Sequence, residues 1–339
     1  MPEDGQWRMA DALLPAAVVV ATAASCWLVT GILIPALRRR DMLDYPNERS
    51  SHITPTPRGG GIAVIGSVLL AWIALNKEGL VGSSVISIAI GTSLLAVVSW
   101  IDDRRGLSPG VRLTAQGIAV TIGLLALPEG QSGLAAWSGP ALYFAATGIA
   151  WVWWINLFNF MDGIDGLATS EAAAICGGLL LFAVVGDSAD PAAALLAAGI
   201  FGAAVGFLAW NWSPARIFLG DVGSVPLGYL LGFLLIDVAV RGHWRIALIL
   251  PLYFLADATI TLVHRLLRGE RVWEPHRQHF YQRAVRNGLG HAAVVKRVIA
   301  ANLLLIWCGW AAESGQAVLS LGAAIVIVAA LLLALTAGR

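Results

Sequence analysis

Charge is scarce in this chain. Only 13% of its 339 residues are Asp, Glu, Lys or Arg, against roughly a quarter in an average soluble domain. With 58% hydrophobic residues, no stretch reads as a soluble domain or as a disordered tail. Cysteine is scarce too. Cys26, Cys176 and Cys308 are the full set. All three fall inside apolar runs without metal-ligand spacing, so they read as buried free thiols acting as small hydrophobes. The net charge of +1 points to no partner; how the charge is distributed says more.

Apolar runs fill the rest. A helix needs about 20 apolar residues to cross a bilayer, and backbone groups in lipid must be satisfied within the segment. We read an all-α polytopic membrane protein, a single domain over residues 1–339, with eleven spans near 13–36, 60–76, 82–101, 112–128, 141–159, 168–186, 192–210, 222–240, 245–265, 296–312 and 317–336. The first run is too long for a signal peptide and is taken as a retained span.

Basic residues fix an orientation. The loops after odd-numbered spans, with the C-terminus, hold 18 of the 22 Lys and Arg; Arg8, Lys77, Arg241 and Arg245 lie on the other side. The positive-inside rule then puts the N-terminus outside and the C-terminus in the cytoplasm. The polar motifs share that side. DYPNERSSHITPTPRGGG follows span 1, IDDRRGLSPGVR span 3, NLFNFMDGIDGLA span 5, NWSPARIFLGDVGS span 7, and HRLLRGERVWEPHRQHFYQR span 9. A transporter should place polar groups near mid-membrane and on both sides. Gathering them at one interface suggests an enzyme with its active site at the cytoplasmic face.

Asp102 and Asp103 end a span, where the helix dipole disfavours carboxylates. A turn partnered by Arg104 and Arg105 is one explanation; a paired-carboxylate site for a metal or a proton is the other, and the dipole favours it. Asn156, Asn159, Asp162 and Asp165 recur every three residues, one stripe if the segment is helical. Gly163 and Gly166 allow close approach, and Asp165 could also cap the next helix. Asp221 stands between Gly220 and Gly223 at a helix start, a place suited to phosphate if a metal bridges carboxylate and phosphate. Phe218 could pack at the interface or stack on a base. His276 and His279, with Arg277 between them, have zinc-like spacing, but with Arg265, Arg268, Arg271 and Arg283 nearby a grip on diphosphate is the stronger reading. Carboxylates with Mg²⁺ and basic groups at a lipid interface specify phosphoryl transfer from a soluble activated donor to a lipid acceptor.

NFMDGIDGLA, IFLGDVGS, the Asp pair after span 3 and PTPRGGG, in that membrane arrangement, resemble the polyprenyl-phosphate N-acetylhexosamine-1-phosphate transferases, the superfamily that includes the translocase forming the first peptidoglycan lipid intermediate. The similarity runs over about residues 37–290. It implies transfer of a sugar-1-phosphate from a UDP-sugar to undecaprenyl phosphate with release of UMP, in the bacterial cytoplasmic (inner) membrane, with Mg²⁺ as cofactor, Mn²⁺ as a substitute for it, and no nucleic acid partner; a homodimer is compatible with it. It further implies that Asp221 is the metal ligand, that Asp102, Asp103 and Asp162 are catalytic with Asn159 beside them, that Asp165, Asn211 and Phe218 hold the uridine, and that His276, Arg277 and His279 contact the sugar diphosphate. A groove partly made by span 9 would take the prenyl chain. The last loop reads HRQH where the peptidoglycan enzyme resembles a triple-His pattern. That departure favours the branch initiating O-antigen and other surface polysaccharides. Two other classes compete with this reading. A polyprenyl-lipid transporter needs no Mg²⁺. An intramembrane aspartyl protease would pair Asp221 with Asp257 and leave the other carboxylates and the basic loop unexplained. A CDP-alcohol phosphotransferase would need a contiguous Asp motif that DGIDGLA matches only in part.

Overall fold

The computed structural model describes residues 9–46, 54–127, 139–185, 190–271 and 276–337. Arg8, Arg49 and Arg339, counted in the charge pattern, lie outside them, as do parts of the first and last polar motifs. Thirteen α-helices are described: α1 Met9–Arg39, α2 Gly61–Lys77, α3 Ser84–Arg105, α4 Pro109–Ala126, α5 Pro140–Phe160, α6 Leu167–Val185, α7 Pro191–Asn211, α8 Asp221–Val238, α9 Trp244–Ile249, α10 Leu252–Leu267, α11 Phe280–Arg286, α12 His291–Glu313 and α13 Ala317–Thr336. The chain is an all-α polytopic membrane protein.

Each of the eleven apolar runs is helical, and two of them give helices shorter than a full span. Nine helices among the described residues are long and apolar enough to cross a membrane; one of these is a continuous run from Asp221 to Ile249. Gly61–Lys77, at 17 residues, is shorter, and α10, at 16 residues, spans only about 24 Å at 1.5 Å per residue. The run expected at 245–265 breaks at Pro251, which has no N–H to continue a helix. Upstream, residues 239–243 form a π-turn with Gly242 at φ 102°. The helix expected from 296 begins at His291, because His291, Lys296 and Arg297 hide its first turns from a hydropathy reading.

α8 is buried along almost its whole length, with α3, α5 and α2 packed about it. Trp151 of α5 stacks on Tyr229 of α8, with centroids 4.8 Å apart, and its indole N–H donates to the Tyr229 carbonyl. The three cysteines are free and buried. Many large apolar side chains are exposed on the outer helices, such as Ile32, Leu70, Ile149 and Val318. In water such a surface would aggregate; in a bilayer it is the lipid-facing coat.

Two short segments bring the polar loops together. Leu43–Asp44 pairs antiparallel with Thr56–Pro57, and Arg58 bridges in parallel to Phe218. Phe218 N–H donates to the Pro57 carbonyl, and the Phe218 carbonyl accepts from Gly59 and Gly60. The glycines make this docking possible. A Cβ on Gly61 would overlap the backbone of Gly223, so the α2 and α8 N-termini meet backbone to backbone.

Candidate active site

The PTPRGGG and IFLGDVGS loops are thus stitched together before any side chain is considered. Into that junction α3 delivers Asp103. Its Oδ1 accepts from Asp221 N–H at 3.3 Å and its Oδ2 from Val222 N–H at 3.0 Å. These are free amides at the first turn of α8, where the helix dipole favours an anion. The carboxylate that the dipole disfavours on its own helix is therefore stabilised by the N-terminus of another.

Arg58 closes the cluster. Its Nη2 lies 2.8 Å from Asp103 Oδ1 and 2.9 Å from Asp221 Oδ1. Burial would make the guanidinium easier to deprotonate, but the charges of Asp221, Asp103, Asp44 and Asp162 outweigh it and hold Arg58 firmly cationic. Asp162 belongs to the same field. It keeps some accessible surface but is ringed by protein. That burial first, then the charges of Asp221, Asp103 and Asp165, push its carboxyl well above the usual range, against the pull of Arg58. Asn159 accepts a short hydrogen bond from Ser224 Oγ, tying the end of α5 to α8.

The stripe of Asn and Asp does not stay on one helix. α5 ends at Phe160, so Asp162 and Asp165 sit in the turn that follows. Asn156 makes a reciprocal amide pair with Gln116 of α4. Gly163 is needed where it is: a Cβ there would overlap the hydroxyl of Tyr281, which donates to the Phe160 carbonyl.

Asp102 and Asp103 part company. Asp102 accepts from Leu107 N–H and pairs with Arg112 at 3.3 Å, closing the turn between α3 and α4. Asp165 Oδ2 accepts from Ala215 N–H and lies 3.2 Å from His291 Nδ1. Burial resists ionisation of Asp165, but the hydrogen bond and charge of His291, with the Ala215 amide, hold its carboxyl below the ordinary range. Asn211 is buried; its Oδ1 accepts from Gly166 N–H and Thr169 Oγ1, and its Nδ2 donates to the Ile217 carbonyl. Asp165 and Asn211 thus face protein donors and acceptors. Phe218, held through its backbone, is half-buried.

The last loop is organised by a residue that sequence reasoning used only for a rejected pairing. Asp257, fully buried in α10, accepts from Phe280 N–H (3.0 Å) and Tyr281 N–H (3.2 Å) and lies 3.1 Å from His279 Nδ1. His279 is buried, and its ring sits 4.8 Å from that of His276. Burial first, then the neighbouring His279 and Arg265, lower His276 to about 4. It is a neutral ring at pH 7 and supplies no cationic grip itself. Arg277 lies in the same loop, half-buried.

Beside the carboxylates is a cavity of about 450 Å³ bounded by α3, α4, α5, α8 and α10. Its polar lining is Ser99, Asp102, Arg112, Gln116, Asn156, Asn159 and Asp221; the rest is mostly apolar, with Leu262, Val263 and Leu266 supplied by α10. No three His, Cys, Asp or Glu side chains close into a metal cluster among the described residues. One carboxylate with substrate phosphates and water is nonetheless the usual way of holding Mg²⁺. Asp221, on the cavity wall and 23% exposed, fits that role.

The fold and the site therefore define a multi-pass membrane protein whose carboxylate cluster opens onto an apolar groove. Comparison with known proteins narrows this. Residues 85–239 match Glycosyl transferase family 4. The chain is 28% identical to the decaprenyl-phosphate N-acetylglucosaminephosphotransferase of Mycobacterium leprae, an alignment covering 87% of this chain and 81% of that one. It is 28% identical to the probable undecaprenyl-phosphate N-acetylglucosaminyl 1-phosphate transferase of Bacillus subtilis (81% and 79%), and 30% identical to the phospho-N-acetylmuramoyl-pentapeptide-transferase of Mycobacterium sp. (strain KMS) (66% and 76%). The chain belongs to glycosyl transferase family 4.

Proposed function

We propose that this protein transfers N-acetylhexosamine-1-phosphate from a UDP-sugar to undecaprenyl phosphate, forming undecaprenyl-diphospho-sugar and UMP. One observation carries the reading: Asp221, set beside Asp103 and Arg58, stands in the wall of a cavity that is polar at the carboxylates and apolar along α10. Such a cavity suits a phosphate with a prenyl tail, and the names of the relatives join a polyprenyl phosphate to transfer of an N-acetylglucosamine phosphate.

The step is an in-line displacement. An oxygen of the lipid phosphate forms a bond to the donor's β-phosphorus, the bond from that phosphorus to the bridging oxygen breaks, and UMP leaves with that oxygen. Mg²⁺, held by Asp221, would neutralise the diphosphate and the charge on the leaving group; Mn²⁺ would serve in its place. Asp103, fixed by the α8 amides, keeps Asp221 in register. Asp162, whose carboxyl takes up a proton readily, accepts one if the lipid phosphate arrives protonated. Asn159 lines the cavity beside them. His276, His279 and Arg277 border the sugar diphosphate, and Phe218 faces the uracil. The 18-to-4 split of basic residues supports a site facing the cytoplasm, where UDP-sugars are found, and the reaction proposed here belongs to the bacterial inner membrane. The product then initiates a surface polysaccharide such as O-antigen.

Donor carrying a labelled β-phosphate tests the route. Label should move to the organic-soluble lipid product, and donor alone should leave none on the protein. Label trapped on Asp103 without lipid would replace direct attack by a covalent intermediate.

A further inference from the structure

Arg58 has no part in the scheme above, yet it is the cation within hydrogen-bond reach of both Asp103 and Asp221. Asp44 and Asp162 also act on it. Its backbone cannot move far, because Arg58 bridges Phe218 and both neighbours are hydrogen-bonded to the same strand. Its side chain is different: it is 38% exposed, whereas that of Asp103 is 4% exposed. A long, partly exposed side chain on a fixed backbone can exchange partners. Asp103 also keeps two amide donors from α8 if the guanidinium leaves. Asp221 Oδ1 has Arg58 as its hydrogen-bond donor, and a cation seated there competes with an incoming ion for that oxygen.

We propose that Arg58 is a placeholder cation, which occupies Asp221 Oδ1 in the resting protein and, when a divalent ion takes that oxygen, turns its guanidinium to the diphosphate of the donor. The proposal rests on the function proposed above. The need for such a residue follows from the charges. Asp103, Asp162 and Asp221 share a small volume, and without a cation they would repel one another. A divalent ion alone leaves the incoming diphosphate with excess negative charge, which a planar guanidinium can meet with two parallel N–H donors. One side chain serves both needs in turn, so ion and donor binding are linked through it.

The test measures ion and donor binding separately, with Mn²⁺ as the spectroscopic probe and a UDP-sugar as donor, in the detergent-solubilised full chain. Without donor, R58Q is expected to bind Mn²⁺ about three- to tenfold more tightly than wild type, because a competitor is removed. The same variant should bind donor about tenfold or more weakly in the presence of the ion. Opposite movement of the two affinities is the signature. An arginine that merely braced the loop would weaken both, and that result would overturn the proposal, as would unchanged ion binding. Should R58Q not fold, R58K supplies the donor half of the comparison. Lysine keeps the charge but offers no planar fork, so donor binding should fall while ion binding holds or tightens; a loss of ion binding in R58K would refute the proposal. D221N separates the two levels. If D221N binds Mn²⁺ like wild type, the metal assignment itself fails. If D221N loses the ion but R58Q gains nothing, only the role given to Arg58 fails.

Discussion

Asp221 and Asp257 make an instructive pair. Both are carboxylates on apolar helices, and both meet residues from a distant polar loop. Asp257 is fully buried, and its two oxygens are filled by protein donors: the amides of Phe280 and Tyr281, the Tyr253 hydroxyl and the adjoining His279. Asp221 is 23% exposed, meets a partly exposed arginine and borders a cavity. A carboxylate saturated by backbone amides holds a loop in place. A carboxylate whose partner can be exchanged remains available for chemistry. Asp102 and Asp103 differ in what they hold: Asp102 closes the α3–α4 turn through Leu107 N–H and Arg112, whereas Asp103 is bound to the first turn of α8 beside Asp221.

The contrast is broken most severely at Asp221. Asp221→Asn should lower Mg²⁺-dependent turnover by about a thousandfold or more while the unfolding temperature in detergent stays near wild type. Asp257→Ala should do the reverse of a specific chemical lesion. It strands two buried amides, so the protein should lose about 2–4 kcal/mol of stability in a denaturation experiment. A variant of Asp257 that melts like wild type but is inactive would move it to the chemical side of the comparison.

The neighbouring pair sharpens the same point at smaller magnitude. Asp103→Asn weakens the support of Asp221 and should reduce kcat/KM by about 10- to 100-fold. Asp102→Asn keeps an acceptor for Leu107 N–H and loses only a pair with a partly exposed arginine, so its kcat/KM should stay within about threefold. Kinetics on the two variants side by side check the order.

The smallest effect is on pH dependence. Asp165 has its carboxyl held low by His291 and the Ala215 amide. Its folded pKa lies below its unfolded value of about 3.9, so its contribution to stability is complete above that value. It is lost as the pH falls through the folded pKa. Wild type should therefore lose unfolding temperature more steeply below about pH 4 than Asp165→Asn does. Parallel slopes for the two proteins would show that Asp165 is not coupled to folding.

Much of this architecture could be read from the sequence, because hydrophobic length alone locates helices in lipid. All eleven apolar runs became helices, and the motifs from PTPRGGG to IFLGDVGS converge. What could not be read is which polar residue meets which. Asp102 and Asp103 are equivalent in a string, and only the position of the α8 N-terminus tells them apart. The Asn/Asp stripe looked continuous because spacing does not reveal that the helix stops at Phe160. The ligand role of Asn211 rests on the resemblance alone, and spacing does not show that its amide hydrogen-bonds with Gly166, Thr169 and Ile217. Arg58 was visible only as part of a glycine-rich motif, and its partners lie 45 and 163 residues away. Asp257 gave a signal that could have been used: an acidic residue inside an apolar span calls for a partner, and the His of the following loop was at hand.

The most direct measurement is UMP release by the purified wild-type protein with undecaprenyl phosphate, Mg²⁺ and a panel of UDP-N-acetylhexosamines. The account predicts UMP from at least one donor, dependent on the lipid phosphate and abolished by chelation. UMP formed equally well without the lipid, or none from any donor with protein shown to be folded, would contradict it.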